Sequence, residues 1–403
     1  MAGRHHSNGG DLPPAPHKME EAPAKRNPAA SLTDDLLVEI LRRLPIRSVC
    51  RFKCVSRSWR NLISDPAHRK KLPQTLAGFF YCSLSGERFP VKAHHFTNVT
   101  GKGIPFIFPS FSFLPVPSDD VVLLDCCNDL LLCRCYEPDP HNGDESDESG
   151  PSDGDGFRPF HYVVCNPATK KWVMLPDGSW ASGETRTTRL AFDPAVSSQF
   201  HVVQYVVDEA WCVTGVEIYS SKTAAWSFKE SEWGDDVMLH HQVRSVFLNG
   251  FLHMLTVLDG IALVDMDAKT WRTIPVPTDN FFDGCIHQAQ GRLCFLNVDD
   301  ADFFKLSIWF LEDHGTNEWT LKHSVRTPLL FGRKKLRFEF DYTVITIHPE
   351  CNLIYFVYGW DKTLMAYEMD RKEVRVIRNL GHDCSVTYFP YVPLFLEALE
   401  DEQ

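Results

Sequence analysis

Long apolar runs are missing from this 403-residue chain. A helix that crosses a membrane needs roughly 18 or more uncharged apolar residues. The nearest candidate, 251–266, is broken by His253, Asp259, Gly260 and Asp265 and reads as strands with a turn. The N-terminus, MAGRHHSNGGDLPPAPHK, has no apolar stretch of the kind that directs secretion. Basic charge is also in short supply. The net charge of −12 argues against a general nucleic-acid binder, which is usually basic overall. There is no Cys-x-x-Cys pair, although thirteen cysteines are present. Structural zinc normally needs clustered ligands at short spacing, so no metal site is expected. An odd cysteine count without a secretion signal points to reduced thiols acting as small buried apolar groups. Phosphate-binding Gly-x-x-x-x-Gly-Lys, His-Glu-x-x-His and Gly-x-Gly-x-x-Gly signatures are absent. The pairs His94-His95 and His240-His241 place adjacent side chains on opposite faces of a strand, which makes poor chelates. These absences predict a protein of the cytoplasm or nucleus with no catalytic residue, no cofactor, no metal, no membrane contact and no nucleic-acid partner.

What is present divides into unlike parts. Residues 1–30 are rich in Pro, Gly and polar groups and predict a disordered tail. From about residue 76 the chain turns to β-branched and aromatic runs separated by turn residues. One hairpin type recurs there: an apolar strand, a polar turn, then tryptophan and a short strand. YVVCNPATKKWVMLP, VEIYSSKTAAWSFKE, IALVDMDAKTWRTIPVP and IWFLEDHGTNEWTLKHS share it, and LMAYEMDRKEVRVIRNL is a degenerate copy. The marker positions are Trp172, Trp226, Trp271, Trp319 and Val374. A second hairpin type precedes each copy, giving four strands in roughly 50 residues, the signature of a Kelch-type propeller blade. Five such units stand out. Residues 76–117 supply strands for another, and 385–396 reads as a last strand able to pair with the first and remove a sheet edge. Each recurring tryptophan is expected to pack between blades. The segment 137–158 is an acidic, low-complexity insertion expected to be disordered. It lacks the flanking helices and terminal Glu of a calcium loop. Its Ser146, Ser149 and Ser152 lie among acids and are candidate phosphorylation sites.

Residues 31–72 read as three short helices. Thr33 is placed to cap the first, with Asp34 and Asp35 in its positive first turn. Leu36, Leu37, Ile40, Leu41 and Leu44 form its apolar stripe, and Pro45 ends it. A second helix fits 48–55, and Ser56 starts a third that carries Trp59, Leu62 and Ile63. The stripe is wider than two short partners can cover, and an uncovered stripe marks a partner surface. The segment holds ten Lys/Arg against four Asp/Glu. Its basic residues are mixed into the apolar stripe and no base-reading helix stands out, so DNA is an unlikely fit.

The run LTDDLLVEILRRLPIRSVCRFKCVSRSWRNLISDP, 32–66, closely resembles the F-box, particularly its plant form. The matching residues are Leu32, Asp35-Leu36, Glu39-Ile40-Leu41, Leu44-Pro45, 51–56 and Trp59, with Thr33 where proline is usual. The resemblance implies an α+β multidomain chain: a small three-helix F-box at 31–72, an all-β propeller-like domain of about six blades at 73–396, and a C-terminal tail at 397–403. It also implies a partner, the Skp-type adaptor, and through it the cullin and RING subunits of a ubiquitin ligase, with the propeller holding an unknown target protein. Leu32, Leu36, Ile40, Leu44, Pro45, Val55 and Trp59 are then the adaptor-binding residues or their immediate support. Adaptors of this family are acidic, so the basic segment would steer association. A propeller enzyme, or an F-box protein acting outside ubiquitin transfer, stays open as an alternative.

Overall fold

The computed structural model describes residue 3 and residues 32–44, 48–49, 52, 55–65, 68, 76–85, 92–101, 107–137, 158–178, 187–234, 237–240, 243–258, 260–278, 284–299, 302, 304–332, 336–338, 341–393 and 399. The expectations for 1–30 (Gly3 apart), for 138–157 with Ser146, Ser149 and Ser152, and for Pro45 lie outside these residues. Two helices open the described chain: α1, Asp34–Leu41, and α2, Arg57–Ser64. Ser48, Val49 and Phe52 between them are also helical. Everything downstream is dominated by strands.

Six antiparallel sheets follow. Five are four-stranded meanders: β3 (Val121–Cys127) to β6 (Lys171–Met174), β7 (Thr188–Ala191) to β10 (Ala225–Glu230), β11 (Val246–Leu248) to β14 (Trp271–Ile274), β15 (Gly284–Ala289) to β18 (Glu318–Arg326), and β19 (Tyr342–Ile347) to β22 (Glu373–Asn379). The sixth has the order β2-β1-β23 and joins the two ends of the domain: β1 is Gly78–Leu84, β2 Lys92–Asn98 and β23 Cys384–Tyr391. The innermost strands of the sheets, β3, β7, β11, β15, β19 and β23, face one another around the axis, with β3 against β7, β11 against β15, β15 against β19, and β23 against both β19 and β3.

The ring is closed by packing as well as by topology. Each of the six sheet-to-sheet interfaces has its own apolar cluster. This is a six-bladed β-propeller. The last strand, β23, pairs with β1 in the register Gly78↔Tyr391 and Phe80↔Phe389. That pairing covers an edge that would otherwise present unpaired backbone groups. Phe80 anchors the seam, with its ring 5.3 Å from Tyr391 and 4.8 Å from Phe96. The strand ends earlier than the sequence suggests, at Tyr391 instead of 396. Of the C-terminal tail 397–403, one residue is described. Leu399 is buried in the cluster between the β3–β6 and β7–β10 sheets, because an apolar side chain gains more there than in water.

The recurring tryptophans sit in these interfaces. The indole N–H of Trp226 on β10 donates to the carbonyl of Pro176, just past the outer strand of the preceding blade, at 2.7 Å. Trp319 on β18 repeats the contact with Pro275 at 2.9 Å. Trp271 turns to Ala268 of its own hairpin, and Trp233 crosses it edge-on at 4.7 Å while donating to Leu263 and Arg272. Val374 takes the same place without a polar handle, half-buried against the cluster between the last two four-stranded blades. Turn chemistry fixes the registers. Asn249-Gly250 and Gln290-Gly291 both have positive φ at each residue, the two-residue hairpin turn whose twist matches its strands.

The cysteines behave as apolar filling. Eleven described cysteines lie outside any disulfide. Cys133 and Cys135, two apart on β4, both point into the cluster beside the closing sheet. Burial pushes the Cys135 and Cys294 thiols up to about 12.

Candidate docking surface

Ser56 begins α2 as expected. Its side-chain oxygen accepts from the Trp59 backbone N–H at 3.2 Å, satisfying one of the free amides of a helix start. Thr33 precedes α1 in extended backbone geometry, but its hydroxyl makes no capping bond. That corrects the expectation for the Thr33 side chain, and Asp34 and Asp35 in the first turn carry the favourable charge instead. At the other end of α1, Glu39 accepts from Arg43 at 2.8 Å and Arg42 at 3.1 Å. The Arg43 hydrogen bond, then the Arg42 and Arg43 charges, outweigh the small desolvation and hold the Glu39 carboxyl below its ordinary value.

The apolar residues of α1 divide into two sets. Leu37, Val38 and Leu41 pack with Val49, Leu62 and Ile63 in a small core of their own. A helix turns about 100° per residue, so Leu36 and Ile40 lie one position round from Leu37 and Leu41. They face outward: Leu36 is 53% exposed and Ile40 45%, with Leu32 at 38% and Val55 at 61%. The wide stripe read from the sequence is therefore a core stripe and a free stripe side by side.

Of the seven residues singled out, Leu32, Leu36, Ile40 and Val55 share this exposed character. Leu44 and Trp59 are half-buried against the helical core, and the Trp59 ring lies 5.1 Å from Phe52. These two support the surface from beneath. Pro45 lies outside the described residues. Sequence reasoning passed over Val38 and Val49 as core members. The signal was available, since Val38 precedes Leu41 by one helical turn, and Leu41 and Val49 are both fully shielded.

The propeller offers a second exposed set. Among the described residues, the second-to-third-strand turns of three blades present large apolar side chains, Trp211, Leu258 and Trp360, at one end of the ring. Trp211 has φ +66°, an unusual conformation for a bulky residue. Asp208 pins that turn by accepting from the N–H groups of Ala210 and Cys212, both at 2.9 Å. Trp360 stacks nearly parallel on His382 and is otherwise open.

No group of three or more metal-ligating side chains occurs among the described residues, and none of their helices is long and apolar enough to cross a membrane. One Gly-x-Ser-x-Gly match, Gly150 to Gly154, lies in the acidic segment outside the described residues. Such a nucleophile elbow needs a strand feeding directly into a helix, and low-complexity sequence on either side gives no sign of that context.

Comparison with known proteins agrees with this division. The F-box domain family matches residues 30–71. The family described as F-box protein At3g26010-like, beta-propeller, matches residues 154–389, more than half of the chain. Similar proteins from Arabidopsis thaliana include F-box protein At5g07610, 23% identical over 72% of this chain and 70% of its own length. F-box protein At5g49610 is 23% identical over 75% of this chain and 81% of its own. F-box protein At3g26010 is 22% identical over 87% and 80%. A helical unit with one apolar stripe buried and one exposed, joined in one chain to a six-bladed ring, places this protein in the F-box family that carries an At3g26010-like β-propeller.

Proposed function

We propose that this protein is a non-catalytic substrate receptor of a cullin–RING ubiquitin ligase, with the F-box bound to a Skp-type adaptor and the propeller holding a target protein. The observation that carries this reading is the free stripe on α1. Leu32, Leu36, Ile40 and Val55 each leave apolar surface in water on a small helical unit. Leu44 and Trp59 brace that surface from the helical core. The same segment is basic in a chain of net charge −12, which favours an acidic partner.

The target surface is assigned to the end of the ring that displays Trp211, Leu258 and Trp360. Exposed tryptophans are strong interface anchors, and loops carried by a rigid scaffold are where specificity concentrates. Acids dominate several connections at this end, as at Asp208, Glu209, Asp299 and Asp302. The contribution to ubiquitin transfer is proximity, which raises the effective concentration of target lysines near the charged enzyme. In the cytoplasm or nucleus the chain would act through these two surfaces alone.

Reconstitution tests the proposal directly. The full chain should co-purify with a Skp-type adaptor and support ubiquitination of proteins captured from cells under proteasome inhibition. A chain lacking residues 31–72 should still capture them without supporting modification. Captured proteins that are modified equally well without the F-box would refute it.

A further inference from the structure

The propeller axis contains a charge arrangement that the adaptor and target roles leave unused. Beside the first-to-second-strand turns, opposite the end with the exposed tryptophans, lies a cavity of about 130 Å³. Its polar wall includes Arg244, Asn128 and Gln288, and its apolar wall includes Leu76, Ile347 and Val392. Arg244 comes from the connection before β11 and reaches across the ring. It donates to the carbonyl of Tyr388 on β23 at 3.0 Å and that of Cys126 on β3 at 3.5 Å, with its guanidinium 5.7 Å from the centre of the Phe389 ring. Three blades therefore hold this cation in place.

Those two carbonyls use two of the five guanidinium N–H donors. Among the described residues no carboxylate pairs with Arg244. The acid nearest by chain and contact, Asp125, is already committed. It accepts from the backbone N–H groups of Cys126 at 2.8 Å and Leu190 at 2.9 Å and from the Ser245 hydroxyl at 3.4 Å. Its charge also offsets that of a second axial cation, Arg189. His287, on the cavity wall, adds no further positive charge: burial first, and the neighbouring Arg244 second, hold its ring down to about 3. Arg244 is half-buried on the cavity wall with donors to spare, and a fixed guanidinium fork matches a carboxylate in a two-point contact.

We propose that this cavity binds a small organic carboxylate with a compact apolar body, its carboxylate on Arg244 and Gln288 and its body against Leu76, Ile347 and Val392. At about 130 Å³ the cavity is slightly smaller than an apolar one of about 150 Å³ that accommodates benzene, so it takes a small ring with the carboxylate left at its rim on half-buried Arg244 and exposed Gln288. The apolar wall favours an organic anion over inorganic phosphate. Because the lining comes from several blades and includes Pro390 at the closing strand, occupancy ties the seam of the ring to its other side. Binding the folded form alone raises the melting temperature.

Benzoate is the probe, benzamide its neutral counterpart, and inorganic phosphate the control. All three are titrated calorimetrically into the full-length chain, with melting curves in parallel. Benzoate should bind saturably with one site, raise the melting temperature, and bind at least tenfold more tightly than benzamide. Arg244→Gln should lose at least tenfold in benzoate affinity. Gln288 is exposed and anchors no other element, so Gln288→Glu keeps the fold and should weaken benzoate by a similar factor through repulsion. The proposal is overturned if benzoate shows no saturable binding, if benzamide matches it, if phosphate binds in its place, or if Gln288→Glu binds benzoate as tightly as the parent.

Discussion

Replacing Leu36 and Ile40 together by alanine separates docking from folding. Both residues are about half exposed on α1. Complete burial of a Leu or Ile side chain is worth about 1.5–3 kcal/mol, so covering the exposed half recovers about 1 kcal/mol apiece. The double substitution should cost about 2 kcal/mol of adaptor affinity, roughly thirtyfold in Kd. It should leave the helices intact, because exposed positions seldom change stability by more than about 0.5 kcal/mol. Leu41→Ala is the opposite case. Leu41 is fully buried in the helical core, and a cavity there costs about 2–5 kcal/mol. Leu44 is a poor choice for this test because it packs on the same core, so its loss would confuse the two effects. Calorimetric titration of a purified Skp-type adaptor into each full-length variant gives the affinities, and helical circular dichroism on heating gives the stabilities. If Leu36→Ala/Ile40→Ala keeps adaptor affinity within about threefold, or melts as Leu41→Ala does, the two-stripe reasoning is wrong.

Four further outcomes follow from the propeller. Buried His94, His253 and His287 are held down to about 4, about 4 and about 3, chiefly by burial. They stay neutral in the native ring while the unfolded chain takes up protons near pH 6.5. Their contribution is therefore complete above that pH and is lost as pH falls toward the native values, by about 1.4 kcal/mol per pH unit for each. Denaturant titrations between pH 6.5 and 5, before most carboxylates respond, should show this slope, and a flat profile would contradict it. Trp226→Phe and Trp319→Phe keep an aromatic ring but lose the bond to the Pro176 and Pro275 carbonyls. Each should cost about 1 kcal/mol in chemical denaturation, against about 3–5 for alanine. Tyr391→Ala should lower the melting temperature sharply, because it empties the closing seam and removes the hydroxyl that donates to Asn166. Trp211→Ala with Trp360→Ala should leave folding and adaptor binding unchanged while reducing capture of target proteins, and undiminished capture would move the target surface elsewhere.

The repeat made most of the ring legible, and its marker explains both where sequence reasoning reached and where it stopped. A tryptophan two residues past a left-handed turn residue, as at Lys170–Trp172, Ala224–Trp226 and Asn317–Trp319, is a local pattern that needs no knowledge of the partner strand. The closing blade has no such marker. β1 and β2 read only as apolar runs, and their inner neighbour is contributed by the far end of the chain, a pairing fixed by packing among Phe80, Phe96 and Tyr391. The axial cations were invisible for the same reason. Arg189 and Arg244 are unremarkable in sequence and meet only because separate blades converge. On α1, periodicity found every apolar residue but Val38, yet it could not divide them, because Leu36 and Leu37 are equally apolar. Only the position of Leu62 and Ile63 decides which one is covered.

The two halves of the chain answer the same physical demand in opposite ways. Backbone groups on a strand edge and apolar groups on a helix face both need covering. The propeller meets that need internally. Its ends pair with each other, its six interfaces each bury a cluster, and three of its large exposed apolar residues, Trp211, Leu258 and Trp360, are held on turns. The helical unit has too few residues to do likewise. Among its described residues six side chains are buried together, Leu37, Val38, Leu41, Val49, Leu62 and Ile63, while Leu36 and Ile40 stay exposed. Burying that second stripe would take another helix, and a bound partner supplies the same apolar surface without one. A surface satisfied only by association is stabilised by the partner in proportion to its concentration. The ring is complete in itself, so under the proposed function it would hold a target both before and after the helices engage a partner.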